Sequence, residues 1–180
     1  MIKLTDKIIL FTNLFDDLNK LFLCLENLNW SLWGRDNNDL NNLLGYSAMI
    51  IEDEYVFNKI KNASVYSINK YMSELQIDSS LFRYQNEGMY LRKWNFPVKG
   101  MNAHRDYSYN QDGQKESVEY TICGYLNDDY VGGLLEFPEH NISIKPPAGS
   151  VIMFPANELH LVTDLVDKHR YMWSNFIYKR

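Results

Sequence analysis

The sequence predicts a mainly β fold, a sandwich or jelly roll, with helices bracing one sheet from outside. Three observations carry this. From about residue 81 the chain breaks into short apolar or alternating runs of strand length. Gly, Pro, Asn and Asp separate those runs. Before residue 81, apolar residues recur instead at helical spacing.

In chain order, residues 8–11 are apolar and β-prone and predict a first strand. From Asn13 onward, Leu14, Leu18, Leu21, Phe22, Leu25 and Leu28 recur with Asp16, Asp17, Asn19 and Lys20 between them, which predicts an amphipathic helix capped by Asn13. Residues 34–42 are polar and read as a loop. A second helix is expected over 64–75, with Val65, Ile68, Tyr71, Met72 and Leu75 on one side. Strands follow at 89–94, 120–126, 134–137, 150–154, 160–162 and 171–178. Their punctuation is Pro97 and Gly100, Asn127-Asp128-Asp129, Gly132-Gly133 and Pro146-Pro147-Ala148-Gly149. No repeat or long linker divides the chain. Residues 1–180 therefore read as one domain, with 1–80 giving the first strand and supporting helices and 81–180 the β core.

Hydrophobic residues make up 46% of the 180, enough for a sizeable core and against intrinsic disorder. A formal charge of −5 disfavours broad phosphate neutralisation, so nucleic acid is not an expected partner. Arg83, Arg92, Lys93, Lys99 and Arg105 nevertheless leave room for a local basic rim. The two cysteines, Cys24 and Cys123, lie far apart in apolar surroundings, which points to a reduced, cytoplasmic protein rather than a disulfide framework. The apolar run at 8–11 is too short to span a membrane and lacks a cleavage site, so no membrane partner is expected.

Four histidines are present: His104, His140, His160 and His169. His104-Arg105-Asp106 places an imidazole and a carboxylate two apart, and on a strand both would point to one face. His160, a short turn after the apolar strand, is the best third ligand. Two imidazoles and one carboxylate form the facial triad of non-haem Fe(II) oxygenases, which leaves three adjacent coordination positions open. His-X-Asp alone is more often a surface coincidence. His140 and His169 read as surface residues. Arg170 opens a core-like strand, where an arginine is costly unless paired. It reads equally as the partner of a ligand carboxylate or as a strand-edge residue reaching solvent or Asp167.

Taken together, these pieces resemble the 2-oxoglutarate/Fe(II) oxygenase superfamily, in its prolyl 4-hydroxylase-like branch. The colinear match runs over about 85–180: His104-Arg-Asp106, Thr121 to Tyr125-Leu126-Asn127, Gly132-Gly133-Leu-Leu-Glu-Phe137, Pro146-Pro-Ala-Gly-Ser150, the apolar run to Pro155, His160 and Arg170. The resemblance implies a double-stranded β-helix, a cupin-like jelly roll, with Fe(II) held by His104, Asp106 and His160 near one open end. It implies that Arg170 and Tyr125 hold the distal carboxylate of 2-oxoglutarate and that Thr121 walls the same pocket. Ascorbate is a further cofactor it suggests. Cys123, between Thr121 and Tyr125, reads as core packing. Gly132 and Gly133 read as turn and bulge residues. Residues 97–102 and 107–117 are expected to form mobile loops over the mouth.

Three positions depart from the family's pattern. Trp94 stands where prolyl hydroxylases often carry a co-substrate tyrosine, Val118 where some carry a substrate-binding arginine, and Phe176 where a tryptophan is common. The implied reaction consumes 2-oxoglutarate and dioxygen, releases succinate and carbon dioxide and hydroxylates a C–H bond. The leading substrate is a prolyl residue in a protein or peptide. Another residue, a free amino acid or a small metabolite follows; nucleic-acid demethylation comes third; a non-catalytic jelly-roll binding module is the alternative class. Nothing in the sequence fixes the oligomeric state.

Overall fold

The computed structural model describes residues 1–28, 30–33, 45–48, 53–84, 90–109, 115–116 and 118–180. Among them, nine antiparallel strands form a major sheet in the order Ile2–Lys3, Ile9–Phe11, Ser150–Pro155, Val118–Tyr125, Arg170–Lys179, Tyr90–Trp94, Gly45–Ala48 and Ser31–Trp33, with Phe82–Tyr84 on the far end of Arg170–Lys179. A minor sheet of four runs Ile142–Ile144, Leu135–Phe137, His160–Val162, Met101–His104. The two sheets make the mainly β jelly roll that the sequence predicts. Every predicted strand is present within a residue or so, although residue 89 and the loop at 34–42 lie outside the described residues.

Strand alternation divides the side chains of the major sheet between two cores. On Ser150–Pro155, Val151 and Met153 face the helices, while Ile152 and Phe154 face the sandwich interior. On the neighbouring strands Ile122, Tyr171, Trp173 and Ile177 face the helices and Tyr125 and Met172 face inward. A strand buried on both faces cannot show the polar alternation of a surface strand. That is why 150–155 reads as one continuous apolar run.

The helices differ from expectation at their starts. α1 spans Leu18–Glu26 and is capped by Asp17, which accepts from the Lys20 amide at 3.0 Å. Asn13 is not the cap. It sits at φ 57°, the left-handed region that Asn tolerates, and turns the chain out of the first strand. α2 spans Glu54–Glu74 and begins well before Ser64. Asp53 caps it, and Val56 and Ile60 extend the apolar stripe of Ile68, Tyr71 and Met72. The charged and amide residues between them dilute the periodicity there. Two hydrogen bonds bolt α2 down: the Tyr71 hydroxyl donates to the Lys7 carbonyl at 2.7 Å, and the Trp173 indole donates to the Ser64 hydroxyl at 3.1 Å.

Trp173 fits because Gly124 lies opposite it in register, where a Cβ would come within 2.1 Å of the indole ring. Gly124→Ala is therefore expected to destabilise the protein by about 1–3 kcal/mol through overpacking, read as a lowered thermal midpoint. An unchanged midpoint would mean that the indole is not held against this strand.

Candidate active site

The first predicted ligand, His104, closes the strand Met101–His104, and His160 opens His160–Val162; the two residues are direct partners across that antiparallel pair. Their ring centroids are 4.3 Å apart. Asp106 lies beyond the strand end, so strand alternation does not place it. Its amide donates instead to the Ala156 carbonyl at 2.8 Å, which folds the chain back over the turn leading to His160. Asp106 Oδ1 stands 3.5 Å from His104 Nε2 and Oδ2 stands 3.6 Å from His160 Nε2. These gaps are long for hydrogen bonds. They suit donor atoms that each lie about 2.1 Å from a shared ion. One ligand atom from each of the three residues falls within 4.8 Å of the others, a group that could hold a metal.

Second contacts fix the ligands. Each imidazole donates Nδ1–H to a backbone carbonyl, His104 to Asn102 at 2.7 Å and His160 to Glu158 at 3.0 Å, which leaves both Nε2 lone pairs for a metal. Phe137 and Phe154 pack on the His160 ring. Thr121, expected as a pocket wall, donates its hydroxyl to Asp106 Oδ2 at 2.6 Å. Burial pushes the Asp106 carboxyl up, but the His104 contact, His160 and the Thr121 hydroxyl bring it below the ordinary carboxylate range. The Asp106 contact holds His104 above the usual imidazole value against the pull of burial, while burial holds His160 below it.

Deeper in the sandwich Arg170 is 1% exposed. It faces Trp94 across the strand pair, with its guanidinium carbon 4.4 Å from the indole centroid. Nη1 donates to the Gly133 carbonyl at 2.9 Å, while Nε and Nη2 are buried with no partner. Of the readings open for Arg170, the strand-edge one fails, because the side chain reaches neither solvent nor Asp167. The Trp94 Nε1–H is buried and unpartnered too. Asn127 holds this end of the strand: its amide donates to the His169 carbonyl and accepts from the Tyr171 amide, straddling Arg170.

Thr121, Cys123 and Tyr125 share the inward face of Val118–Tyr125. Cys123, partly buried between them, packs against both interior clusters. Burial pushes its thiol up to about 12. Orphaned cationic donors towards the Tyr125 end of this strand face, and two imidazoles and a carboxylate towards its Thr121 end, fit a dicarboxylate chelated to a divalent ion.

The sequence model of the 2OG-Fe(II) oxygenase superfamily matches residues 90–178, the half that holds every residue above. The chain belongs to that superfamily. It is a 2-oxoglutarate-dependent Fe(II) dioxygenase. Solved structures share its fold along almost the whole chain. A viral collagen prolyl hydroxylase from Paramecium bursaria Chlorella virus-1, in its 2-oxoglutarate complex, superposes with TM-score 0.68 at 15% identity, covering 97% of this chain and 96% of that one. A Trichoplax adhaerens prolyl hydroxylase bound to a hypoxia inducible factor peptide fragment gives 0.68 at 17%, covering 97% and 84%. A Pseudomonas putida prolyl-4-hydroxylase gives 0.66 at 13%, covering 98% and 94%. No curated protein sequence matches the chain closely enough to count.

Other sequence expectations change within this dioxygenase. Residues 97–102 are tied down rather than loose: Val98 and Leu165 exchange both backbone hydrogen bonds, and Met101 and Asn102 belong to the ligand strand. Residues 108–109 and 115–116 pair as short antiparallel strands, and 110–114 and 117 lie outside the described residues. Of the basic residues, Lys99 pairs with Asp164, Arg105 with Glu139, and Arg83 and Lys93 lie over the rings of Tyr178 and Tyr171. Val118 is buried against Ala156 and Tyr178, and Phe176 is partly buried beside them. His140 is exposed and paired with Glu158, whereas His169 is half-buried beside Phe96.

Two tests follow for the metal group. Thr121→Val keeps the shape and removes the hydroxyl, and Mn(II) affinity should fall about 10- to 100-fold; equal affinity would leave the Asp106 contact without consequence. Metal binding needs neutral imidazoles. Because His104 titrates above the ordinary value of about 6.5 and His160 below it, Mn(II) affinity should start to fall above that pH as acid is added. A loss that begins only well below it would contradict the role of His104.

Proposed function

We propose that His104, Asp106 and His160 hold Fe(II), that Arg170 with Tyr125 and Trp94 receives the distal carboxylate of 2-oxoglutarate, and that the enzyme hydroxylates a prolyl residue in a protein or peptide. The observation that carries the co-substrate assignment is Arg170, fully buried with two nitrogens lacking partners. A carboxylate is the group whose geometry matches a guanidinium fork.

Bound there, the metal supplies the oxidative chemistry, in which dioxygen and 2-oxoglutarate yield succinate, carbon dioxide and a hydroxylated substrate carbon. The chain's own residues position and shield. His104 and His160 present Nε2 from two paired strands, and Asp106 is held for a metal by the hydrogen bond from its backbone N–H to the Ala156 carbonyl and by the Thr121 hydroxyl. Phe137 and Phe154 close the wall behind His160 and exclude water from that side. Arg170 and Trp94 fix the far end of the co-substrate, so its chelating end meets the metal in one orientation.

The peptide reading rests on the fold shared with the viral collagen prolyl hydroxylase and with the Trichoplax enzyme that carries a peptide fragment. Exposed aromatic residues near the ligand strands, Phe96 and Tyr107, suit an extended segment with a proline ring.

Purified protein incubated with Fe(II), 2-oxoglutarate, air and proline-containing peptides should release succinate together with a one-oxygen mass gain on proline. Both should vanish in His104→Ala and Asp106→Ala. Succinate without peptide oxidation would retain the enzyme class and reject those peptides. Absence of succinate and of Fe(II) binding would overturn the site.

A further inference from the structure

Arg170 does not carry the only orphaned donors in this part of the interior. Tyr130 is 1% exposed, and its hydroxyl is buried with no hydrogen-bond partner. Its ring packs with Trp94, Leu165 and Met172, and the ring centroid lies 6.0 Å from the Arg170 guanidinium carbon. Both side chains wall the same spot: a Cβ on Gly133 would stand 3.3 Å from Arg170 Nη1 and 3.4 Å from Tyr130 Cε2. A buried phenol almost always finds an acceptor, and here none is offered among the described residues.

We propose that Tyr130 is a further residue of the co-substrate pocket, donating its hydroxyl to the distal carboxylate that Arg170 receives. This rests on the 2-oxoglutarate reading above and adds to it a residue that none of the motifs contains. Arg170 Nε and Nη2, Trp94 Nε1 and the Tyr130 hydroxyl make four unpartnered donor atoms around one guanidinium. One carboxylate offers about four lone-pair sites. A single ligand carboxylate can therefore accept from several of these donors at once, whereas a mono-anionic 2-oxo acid with no distal carboxylate would leave them all unsatisfied. Tyr130 acts in this way as a specificity residue for a dicarboxylate.

The surrounding structure holds Tyr130 in that role. It ends the Asn127-Asp128-Asp129 turn, and Asn127 donates to both Asp129 and the His169 carbonyl while accepting from the Tyr171 amide. The turn that delivers Tyr130 is thus bolted to the chain on both sides of Arg170. Lys145 donates to the Tyr130 carbonyl at 3.3 Å and lies over its ring. Burial pushes the phenol up to about 12, with Arg170 pulling the other way, so the hydroxyl remains a protonated donor at neutral pH.

The test is calorimetric binding of 2-oxoglutarate and of pyruvate to Mn(II)-loaded protein under anaerobic conditions, with ligand-free thermal midpoints read on the same samples. Tyr130→Phe should weaken 2-oxoglutarate about 10- to 100-fold, the loss expected for a hydrogen bond to a charged acceptor. It should leave pyruvate affinity unchanged and should not lower the midpoint, because it removes an orphaned donor. Arg170→Leu should weaken 2-oxoglutarate further. Equal 2-oxoglutarate affinity in wild type and Tyr130→Phe, alongside a clear loss in Arg170→Leu, would overturn the role of Tyr130 and keep the pocket. Equal losses for both ligands, or a lowered midpoint, would make Tyr130 a packing residue and overturn the proposal. Wild type that fails to prefer 2-oxoglutarate over pyruvate would overturn the pocket and Tyr130 with it.

Discussion

A guanidinium cut off from water, with two of its three nitrogens unpaired, is an expensive group to hold in a folded chain. Arg170 is such a group. The strand that carries it is the hub of the major sheet, hydrogen-bonded to Val118–Tyr125 on one side and to Tyr90–Trp94 on the other. The charge cannot be relieved by a local shift, because moving Arg170 would break the register of three strands. Everything around it either tolerates the charge, as the Trp94 face and the Gly133 carbonyl do, or waits for an anion. The apolar packing of the helices against the opposite face, through Trp173 and Tyr171, supplies the stability that this inner end lacks.

The same topology separates the two jobs of the site. The metal group sits where a minor-sheet strand pair ends, so its ligands come from chain ends that a turn can adjust. Arg170 stands at the ends of central strands of the major sheet, opposite Trp94, where Asn127 ties the chain down on both sides of it. Between them runs one strand, Val118–Tyr125, whose inward residues reach towards both: Thr121 steadies Asp106, Cys123 packs between the two interior clusters and Tyr125 lies at the Arg170 end. A ligand spanning the two sites is oriented by a single piece of secondary structure, which limits how far its ends can drift apart.

Much of this could be read in the chain. Strand period, turn residues and the order His104, Asp106, His160, Arg170 are local or colinear signals, and they survive folding unchanged. What escaped was set by tertiary contacts. Asp106 is placed by a hydrogen bond to Ala156, fifty residues away in sequence and invisible to any strand pattern. Thr121 appeared as a pocket wall, because its use on Asp106 depends on how two sheets face each other. Tyr130 follows an Asn-Asp-Asp turn, and next to such strong loop signals its ring reads as punctuation rather than as a buried donor. The start of α2 was masked for a different reason: charged and amide residues between Asp53 and Ser64 flatten the apolar stripe that packing then enforces.

The central claim is that the buried arginine and the three-residue metal group address one ligand. A crystal structure of the protein grown anaerobically with Mn(II) and 2-oxoglutarate tests it most directly. The account predicts Mn(II) bonded to His104 Nε2, His160 Nε2 and an Asp106 oxygen, with the 2-oxo acid end on the metal and the distal carboxylate against Arg170 Nε and Nη2. Mn(II) elsewhere, or a co-substrate whose distal carboxylate leaves the Arg170 nitrogens unpaired, would contradict it.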